Sequence, residues 1–430
     1  MALPAGLTWE VRTTGLAING GAYIDLIPGT SVDYSQQNAS QLSKADLACL
    51  LASVTLTSVT GGFTAGMVGN LIQIRAGGVN FVAGFYEIVS FNTANSVNLD
   101  RTPVAAGNGT GGLGEVGGAL ISTETFILNG VDGNLCYVKS GTYNFAASRT
   151  YANTNTKMFG YDIARNQRPI GNNRPLFQLG TFAITTTLGT NLENIRFVGS
   201  GTTLVTINAN QMFFFNCRFE NTNNAGIRQC IIAAGGAAAT SPKNSHIVDC
   251  EFVGTLGADS RGFGRTGAFA YTAVYFSFCF FHDLTYGYLN TVSTESGYFF
   301  KCIFARIGTT SIEFSVATAS NQPVAILFCS FYQAGSYHVN IQTKASNLIY
   351  GNTFDGAAIS ALIDGSVPDN KSWWINNNDF WNNGAPVIGC VLDVNNIGLN
   401  PLWVNPAIND FNFGPGSPNI DQALGIRLGV

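Results

Sequence analysis

The sequence predicts an all-β protein in which a small N-terminal β domain precedes a parallel β-helix, a solenoid of stacked three-strand coils. Three observations predict this fold. A short motif ending in Phe recurs through the second half of the chain. Gly, which supplies turns, accounts for 50 of the 430 residues. Strand-like runs of β-branched and aromatic residues fill the intervals, and repeats of roughly 20–50 residues are typical of solenoids.

Residues 1–105 carry the pattern of a small β domain. Ala52–Val59 and Leu71–Arg75 are rich in β-branched or apolar residues, and turn formers separate them. Gly84–Arg101 predicts a hairpin that turns at a polar run. Gln41–Leu51 is the exception, because its composition predicts a short helix.

The best domain boundary lies in residues 106–118, which are mostly Gly and predict a linker or extended crossover. Residues 119–430 then form the predicted solenoid. Its first coil is expected at Gly133–Tyr143, where an apolar strand, a Gly turn and a second strand start follow one another.

A tetrapeptide ending in Phe, here called the ladder Phe, defines the repeat. Successive ladder Phe residues lie 22 to 33 residues apart, which suits one coil of three short strands with turns of variable length. The ladder Phe residues are Phe197, Phe219, Phe252, Phe281, Phe304, Phe331, Phe354 and Phe380.

A second column of residues precedes the ladder Phe by two positions. Because strand residues i and i+2 share a face, both columns are expected to point inward and the residue between them outward. The second column consists of Cys217, Cys250, Cys279, Cys302, Cys329, Asn352 and Asn378. We expect packing of these Cys side chains as small apolar groups, since one thiol per coil does not make a tetrahedral metal cage.

The segment Asn400–Asp421, with its Pro-Leu-Trp, Asp-Phe and Pro-Gly-Ser-Pro elements, is similar to the terminal segment of right-handed β-helix proteins of the pectin-lyase-like superfold. The resemblance implies a right-handed parallel β-helix whose last coil this segment closes. It implies no particular chemistry, because the superfold hosts lyases, hydrolases and inert structural proteins.

Enzymes of that superfold act on polysaccharides, so the resemblance also implies which motifs an enzyme would carry. Hydrolases gather carboxylates in motifs resembling Asn-Thr-Asp, Asp-Asp and Gly-His-Gly, and lyases combine an Arg or Lys base with Asp ligands for calcium. The sequence contains none of these motifs. We therefore predict no catalytic, cofactor-binding or metal-binding residue and no cofactor; an enzyme, if present, would be a polysaccharide lyase or a glycoside hydrolase.

The nearest approach to a catalytic group is Asp249 with Glu251, expected outward on one strand beside Arg218 and Lys301 of other coils. A solvated ladder of opposite charges is favoured over an acid/base pair. The three histidines, His246, His282 and His338, lack metal-ligand spacing and are expected to be structural. Arg165, Arg168 and Arg174 lie in a turn-rich run that either docks on an acidic partner or is an exposed loop.

Composition limits the remaining classes. Charged residues make up 11% of the chain, the formal net charge is −4, and no extended basic patch is present, which argues against nucleic-acid binding. We expect no membrane span and no secretory signal peptide, and nine scattered Cys residues suit synthesis in a reducing cytoplasm. Because a low charge content favours association, we expect a homo-oligomer, with a trimer as the preferred state.

The N-terminal runs Gly29–Asn38, Thr57–Asn70, Phe81–Ile88 and Val97–Arg101 resemble the leading domain of β-helix proteins encoded by tailed bacteriophages. The resemblance implies a virion protein, made in the host cytoplasm, that docks on the particle through residues 1–105. Together with the missing motifs, it leads us to predict a non-enzymatic capsid decoration protein bound to the major capsid protein or other virion proteins. The alternative is a tailspike, a receptor-binding protein for a host surface glycan, or a polysaccharide depolymerase.

Overall fold

The computed structural model describes residues 7–16, 22–24, 42–68, 70–74, 78–117, 119–130, 132–151, 154–163, 168–186, 188–208, 211–234, 244–257, 259–266, 272–291, 295–315, 323–342, 346–364, 373–393 and 395–419. The chain forms two compact units. The first unit comprises residues 1–144 and 152–177, and the second comprises residues 145–151 and 178–430.

The strands up to residue 180 are, in chain order, β1 (Leu7–Leu16), β2 (Ala22–Ile24), β3 (Leu42–Cys49), β4 (Thr55–Ser58), β5 (Leu71–Ile74), β6 (Gly84–Thr93), β7 (Ser96–Leu99), β8 (Gly109–Gly117), β9 (Leu135–Lys139), β10 (Thr142–Asn144), β11 (Arg149–Thr150), β12 (Lys157–Tyr161) and β13 (Leu176–Gly180). A helix, α1 (Thr123–Asn129), starts where the Ser122 side chain accepts a hydrogen bond from the Glu124 backbone N–H at 3.1 Å. Single 3₁₀ turns occupy Ala65–Met67 and Gly171–Asn173.

Six strands of the first unit close an antiparallel barrel in the order β3-β4-β7-β6-β5-β8. Apolar side chains from every wall fill its interior, among them Leu47, Leu56, Ile72, Ile88 and Val97. The alternation of these residues with polar ones is what places one face of each strand inside. The barrel confirms the predicted small β domain.

Two local predictions in this region were wrong. Gln41–Leu51 was expected to be helical, but Leu42–Cys49 is strand β3, because pairing with β4 and β8 overrides the local helix preference. The Gly-rich segment expected as a linker contains strand β8 of the barrel. Its glycines make room for the core: a Cβ at Gly112 would lie 2.6 Å from the Phe81 ring, and one at Gly114 would lie 2.5 Å from Leu47.

The first unit also contains parallel strands. Strand β1 pairs in parallel with β9, and β9 pairs in parallel with β12. Residues 7–16, which the sequence placed in the N-terminal domain, therefore lie in a sheet with strands of the predicted solenoid.

A buried network of ion pairs lies between these strands and the barrel strands of the first unit. Arg12 is 1% exposed and its guanidinium lies 3.0 Å from Glu10, 2.6 Å from Glu87 and 3.8 Å from Asp100. Lys139 also contacts Glu87, at 2.9 Å, and Asp100, at 3.3 Å. Burial lowers the pKa of Arg12, but Tyr161 and these three carboxylates outweigh it and hold the pKa above the usual value. Arg12 thus remains charged and fully partnered.

From residue 184 onward the strands are, in chain order, β14 (Ile184–Thr186), β15 (Asn191–Glu193), β16 (Arg196–Gly199), β17 (Thr203–Ile207), β18 (Phe213–Phe215), β19 (Arg218–Asn221), β20 (Arg228–Ala234), β21 (Ser245–Val248), β22 (Glu251–Val253), β23 (Ser260–Thr266), β24 (Thr272–Ser277), β25 (Phe280–His282), β26 (Tyr286–Asn290), β27 (Glu295–Phe300), β28 (Ile303–Ile307), β29 (Thr310–Phe314), β30 (Val324–Leu327), β31 (Ser330–Ala334), β32 (Tyr337–Ile341), β33 (Leu348–Tyr350), β34 (Thr353–Ala357), β35 (Ser360–Asp364), β36 (Trp374–Asn376), β37 (Asp379–Trp381), β38 (Val387–Ile388), β39 (Trp403–Asn405) and β40 (Asp410–Phe413). A 3₁₀ turn occupies Pro406–Ile408.

The second unit is a parallel β-helix, as predicted. Each coil contributes one strand to each of three parallel sheets, so that β15, β16 and β17 are followed by β18, β19 and β20 in the next coil. We call the sheets that contain β15, β16 and β17 the first, second and third sheet. The third sheet has ten strands, ordered from β11 and β14 to β38.

The predicted Phe ladder is confirmed in full. All eight ladder Phe residues lie in register across the second sheet. Neighbouring rings stack with centroids 4.4 to 5.2 Å apart. Rings at this spacing exclude water along the axis of the stack.

The backbone of the repeated tetrapeptide differs from the predicted continuous strand. Its first residue has positive φ in every coil, for example 59° at Asn194, 54° at Asp249 and 68° at Gly351. The tetrapeptide therefore begins in the left-handed corner between the first and second sheets, which Asn, Asp and Gly favour. The Cys column lies directly after this corner and is buried, as predicted.

The Asn residues that follow the Cys column form hydrogen bonds between coils. Asn352 Nδ2 donates to Asn378 Oδ1 at 2.9 Å, and Asn378 Nδ2 donates to Asn396 Oδ1 at 3.1 Å. Both accepting oxygens also bind a backbone N–H, that of Asn352 at Asn378 Oδ1, at 2.9 Å, and that of Asn378 at Asn396 Oδ1, at 3.0 Å. Asn352 Oδ1 likewise accepts the Cys329 backbone N–H at 2.7 Å. The amides thus satisfy buried backbone donors at the last coils, which a thiol does less well.

The C-terminal segment packs on the outer face of the second sheet. Strands β39 and β40 form a hairpin, and Phe411 of β40 packs against Phe280, Ile303 and Tyr332. Asn419 donates hydrogen bonds to Asp379 Oδ2 at 2.9 Å and Thr353 Oγ1 at 3.2 Å. The segment expected to close the last coil therefore also covers part of one face of the solenoid.

Candidate functional site

The structure brings together only part of the group that the sequence singled out. Arg218 lies 3.3 Å from Glu251 across neighbouring coils. Asp249 occupies the left-handed corner with φ of 54°, so it does not share a strand with Glu251 as expected. Lys301 lies over the rings of Phe278 and Phe300, at 6.0 and 5.6 Å from their centroids.

Arg218 and Glu251 belong to a longer row of alternating charges along the second sheet. Glu220 pairs with Arg196 at 2.9 Å and with Arg218 at 3.4 Å. At the other end, His282 lies between Glu251 and Asp283, and Asp283 pairs with Arg306 at 2.7 Å. Each of these charges has an opposite neighbour, which supports the predicted structural ladder.

His282 has an unusual environment in this row. Burial lowers its pKa, but hydrogen bonds to Asp283 at 2.6 Å and to Glu251 at 3.0 Å outweigh burial, and the net pKa is raised. The Asp283 carboxyl shows the reverse: burial raises its pKa, and hydrogen bonds from Arg306 and His282 hold it well below the usual range. The pair is thus built to stay charged.

We expect His282→Gln to destabilise the protein by about 1–2 kcal/mol near pH 6, because charged hydrogen bonds to two carboxylates are lost. A raised folded-state pKa contributes stability that is fully present below the unfolded value of 6.5 and is lost as pH rises through the folded value. The destabilisation caused by His282→Gln should therefore be smaller at about pH 9 than near pH 6. Denaturant unfolding at both pH values measures the free energy of unfolding of wild type and His282→Gln, with His246→Gln as the control. An equal destabilisation by His282→Gln at the two pH values would contradict a charged His282.

The other singled-out residues have structural surroundings. His338 is fully buried, its Nε2 lies 3.1 Å from the Asp355 carbonyl oxygen, and burial lowers its pKa to about 3. His246 stacks on Tyr275 at 4.8 Å. Arg174 donates to the Gly171 carbonyl at 3.4 Å, whereas Arg165 lies outside the described residues.

Burial also raises the pKa of the Cys250, Cys279 and Cys329 thiols, so these three thiols are poor thiolates. Among the described residues no group of three His, Cys, Asp or Glu side chains is placed to hold a metal ion. No helix in that part of the chain has the length and apolar character that crossing a membrane needs.

A cleft of about 400 Å³ opens between the second sheet and the C-terminal hairpin. We call it the hairpin cleft. Three aromatic residues, three amide side chains and one carboxyl supply most of its polar and aromatic surface: Tyr332, Trp381, Trp403, Gln333, Asn382, Asn400 and Asp355. This mixture of aromatic rings and a few convergent polar groups is typical of small-ligand sites.

The repeat explains why the cleft opens at this place. The residue directly after each ladder Phe points outward from the second sheet, and Tyr332, Asp355 and Trp381 occupy this position in three successive coils. A second left-handed corner follows in each coil, with φ of 56° at Gln333, 79° at Gly356 and 53° at Asn382. Because Gly356 has no side chain, a gap separates the two amides at the rim.

The Asp355 carboxyl is the one acid that lines the cleft among the described residues. Burial raises its pKa, a hydrogen bond from Trp403 Nε1 at 2.9 Å opposes the rise, and the nearby Asp379 adds to it. Asp379 is fully buried, and its oxygens accept the Leu399 backbone N–H and Asn419 Nδ2, both at 2.9 Å. The net effect favours the neutral form of the Asp355 carboxyl more than in an exposed Asp.

The lining determines what the cleft can bind. Trp and Tyr rings pack on the apolar faces of sugar rings, while amides and a carboxyl hydrogen-bond hydroxyl groups. No Lys or Arg side chain belongs to the cleft lining that the structure describes. The chemistry suits a neutral sugar unit better than an acidic one.

Sequence reasoning missed this site, although part of its signal was present. Asp355 and Trp381 each follow a ladder Phe directly, so the repeat alone places them outward in neighbouring coils. Trp403 could not be placed in this way, because it contacts Asp355 from 48 residues further along the chain.

Comparisons with known proteins found similar solved structures but no similar sequence. No protein-family model matches the sequence, and no curated protein is similar enough to count as a relative. The tailspike protein gp49 from Pseudomonas phage LKA1 has a similar solved structure, with 10% identity, a TM-score of 0.32 and 82% of this chain covered. This chain spans 65% of the tailspike's length.

Two kinds of polysaccharide-degrading enzyme also have similar structures. A mannuronic acid specific polysaccharide family 6 lyase from human gut microbiota matches with 9% identity and a TM-score of 0.37, covering 62% of this chain and 73% of the lyase. The catalytic domain of GH87 alpha-1,3-glucanase in complex with nigerose matches with 10% identity and a TM-score of 0.34, covering 88% of this chain and 92% of the domain. The parallel β-helix of this chain is shown by its own three parallel sheets.

The prediction of a non-enzymatic capsid decoration protein was wrong. Solved structures that match this chain include a phage tailspike, a lyase and a glucanase. The hairpin cleft, which the prediction did not anticipate, gives the solenoid a site of its own.

Proposed function

We propose that this protein is a polysaccharide-binding β-helix of the phage tailspike type and that the hairpin cleft holds one sugar unit of a host surface glycan. The observation that carries the proposal is the cleft itself, where Trp381, Trp403 and Tyr332 surround the Asp355 carboxyl. The resemblance of the N-terminal runs to leading domains of phage β-helix proteins supports attachment to a particle through residues 1–105.

The binding mode follows from the positions of the side chains. Trp381, which is 37% exposed, offers a ring to the apolar face of a pyranose. The amides of Gln333 and Asn382 stand at the rim on either side of Gly356 and bond to hydroxyl groups. Asp355 accepts or donates a further hydrogen bond, and its hydrogen bond with Trp403 fixes its orientation.

Cleavage of the bound glycan is the second part of the proposal. A carboxyl with a raised pKa is the group that protonates a glycosidic oxygen, so Asp355 is the candidate general acid. A lyase needs a cationic or basic group beside the sugar, and the described lining of the cleft contains no Lys or Arg. That lining also holds no second carboxylate to act as nucleophile or base, so in hydrolysis a water molecule attacks the anomeric carbon while Asp355 protonates the leaving oxygen, and the proton of the water passes to the Asp355 carboxylate. With this water as the nucleophile, glycoside hydrolysis fits the cleft better than β-elimination.

Self-association as a homotrimer is proposed as well. The outward rings of Tyr275 and Tyr298 stack on each other at 4.8 Å in neighbouring coils of the first sheet. Rings that stack on each other present their edges outward, which suits packing against a protein surface better than stacking on sugars. Sedimentation of the full chain measures the oligomeric state.

We expect Trp381→Ala to weaken binding of a capsular polysaccharide or its oligosaccharides about five- to thirtyfold, because loss of a stacking ring removes roughly 1–2 kcal/mol. Trp374→Ala is the matched control, since it removes an exposed Trp from the first sheet. Titration calorimetry on the full chain measures the affinity of both Trp variants. Release of reducing sugar by the wild type and by Asp355→Asn measures cleavage. Equal weakening in the two Trp variants would place binding outside the cleft, and cleavage that persists in Asp355→Asn would remove Asp355 as the acid.

A further inference from the structure

A second site is indicated by Arg228, the first residue of β20 in the third sheet. Its side chain is fully buried, and its Nε, Nη1 and Nη2 atoms have no hydrogen-bond partner. A guanidinium carries five N–H donors and stays charged in proteins. Burying such a group without a partner is strongly unfavourable, so natural proteins pair buried charges.

Arg12 shows how the same chain treats a buried guanidinium that it stabilises itself. Arg12 is equally inaccessible, and Glu10 and Glu87 lie within 3.0 Å of it. Among the described residues no carboxylate forms an ion pair with Arg228, and the charge of Asp259 acts on it only from a distance. A closer counter-charge for Arg228 is therefore expected to come from outside the chain.

The Arg228 guanidinium ends beside Gly257. A Cβ added to Gly257 would lie 3.2 Å from Arg228 Nη1 and 3.1 Å from the Asn224 carbonyl oxygen, which is tight packing. A side chain at residue 257 would press on Nη1, so the glycine keeps this side of the guanidinium unobstructed. Ile227 and Leu256, the neighbours of Arg228 and Gly257 in the chain, are 52% and 53% exposed. The residues that adjoin Arg228 and Gly257 in the chain are therefore at the surface, so Arg228 lies close beneath it.

The nearest acid is already engaged. Asp259 binds Arg261 through both oxygens, at 2.7 Å each. The Thr285 hydroxyl fixes this backbone, since it accepts the N–H groups of Asp259 at 3.3 Å and Ser260 at 3.2 Å and donates to the Gly257 carbonyl at 2.5 Å. The Asp259 carboxylate therefore holds Arg261 and makes no hydrogen bond to the Arg228 guanidinium, although the Asp259 carbonyl oxygen accepts the Arg228 backbone N–H at 3.1 Å.

We propose that Arg228 is the anion-binding residue of a second site, which takes the carboxylate or sulfate group of an acidic sugar beside Gly257. A planar guanidinium binds such groups through two parallel N–H bonds. The site goes beyond the hairpin cleft and depends on the proposed function only for the source of the anion. The polysaccharide that fits both sites carries neutral and acidic sugar units.

The test is titration calorimetry on the full chain with two probes, sodium sulfate and a trimer of galacturonate. Arg228→Met should weaken binding of both at least tenfold and raise the melting temperature, because an unpaired buried charge is removed. Arg218→Met is the control, since Arg218 is paired with Glu220 and Glu251. Unchanged anion affinity in Arg228→Met, or no binding by the wild type, overturns the proposal. Sulfate binding without trimer binding overturns an acidic glycan as the source.

Gly257→Ala provides a second, independent test that keeps Arg228. The added methyl group narrows the space beside Nη1, so anion affinity should fall while the protein stays folded; unchanged affinity contradicts the proposed position of the anion. Trp381→Ala should leave sulfate binding unaltered. Failure of the anion site is therefore distinguishable from failure of the hairpin cleft.

Discussion

Phe281→Ala should lower the free energy of unfolding by about 3–5 kcal/mol, the range for removing a fully buried aromatic side chain. Phe281 is 0% exposed and stacks between Phe252 at 4.4 Å and Phe304 at 4.7 Å. Its removal leaves a void in the middle of a rigid stack. The rings on either side are held by their own coils, so they cannot move in to fill it.

Urea denaturation of the full chain, followed by circular dichroism, measures this loss. Phe213→Ala is the matched control, because Phe213 is a half-buried Phe on the outer face of the first sheet. We expect the control to cost about 1 kcal/mol or less. A loss in the control as large as that in Phe281→Ala would show that the inward and outward positions are assigned incorrectly.

Arg12→Met should cost about 3–5 kcal/mol, as expected when one partner of a buried ion pair is removed. The substitution keeps the apolar stem of the side chain but leaves Glu10 and Glu87 without the guanidinium that they contact at 3.0 and 2.6 Å. In Arg12→Met, Glu87 keeps its ion pair with Lys139, whereas the ion pair of Glu10 with Arg12 is lost. Much of the loss in free energy of unfolding therefore comes from the buried Glu10 charge.

The compensating variant distinguishes charge from packing. Arg12→Met combined with Glu10→Gln and Glu87→Gln should recover most of the lost stability, because no unpaired charge remains. Thermal and urea unfolding of the single and triple variants measure the difference. If the triple variant is no more stable than Arg12→Met, the network does not act through charge.

The fold was predictable because the repeated residues are close together in the chain, and their spacing alone indicates which of them face inward. Each ladder Phe lies in a strand of the second sheet, and its register followed directly from counting. Strand β3 was mispredicted because Leu42–Cys49 contains good helix formers, and only its pairing with β4 and β8 makes it a strand. Such pairing depends on residues distant in the chain.

The hairpin cleft was less predictable for the same reason. Asp355 and Trp381 could be placed outward from the repeat, but their meeting with Trp403 depends on the path of the C-terminal segment. The pKa of Asp355 depends in turn on that segment, because Trp403 and burial act on it together. Arg228 could not be recognised either, since its lack of a partner is a property of the folded coil.

The left-handed corner at the start of each tetrapeptide has a consequence for changes in chain length. Successive ladder residues are separated by as few as 22 residues, from Phe197 to Phe219, and by as many as 33, from Phe219 to Phe252, yet all are in register. Extra residues are therefore accommodated outside the corner and the ladder strand. Insertions in those outer turns should be tolerated, as should removal of a whole coil such as residues 305–331, whereas a single inserted residue between Lys301 and Phe304 should shift one Phe out of the stack.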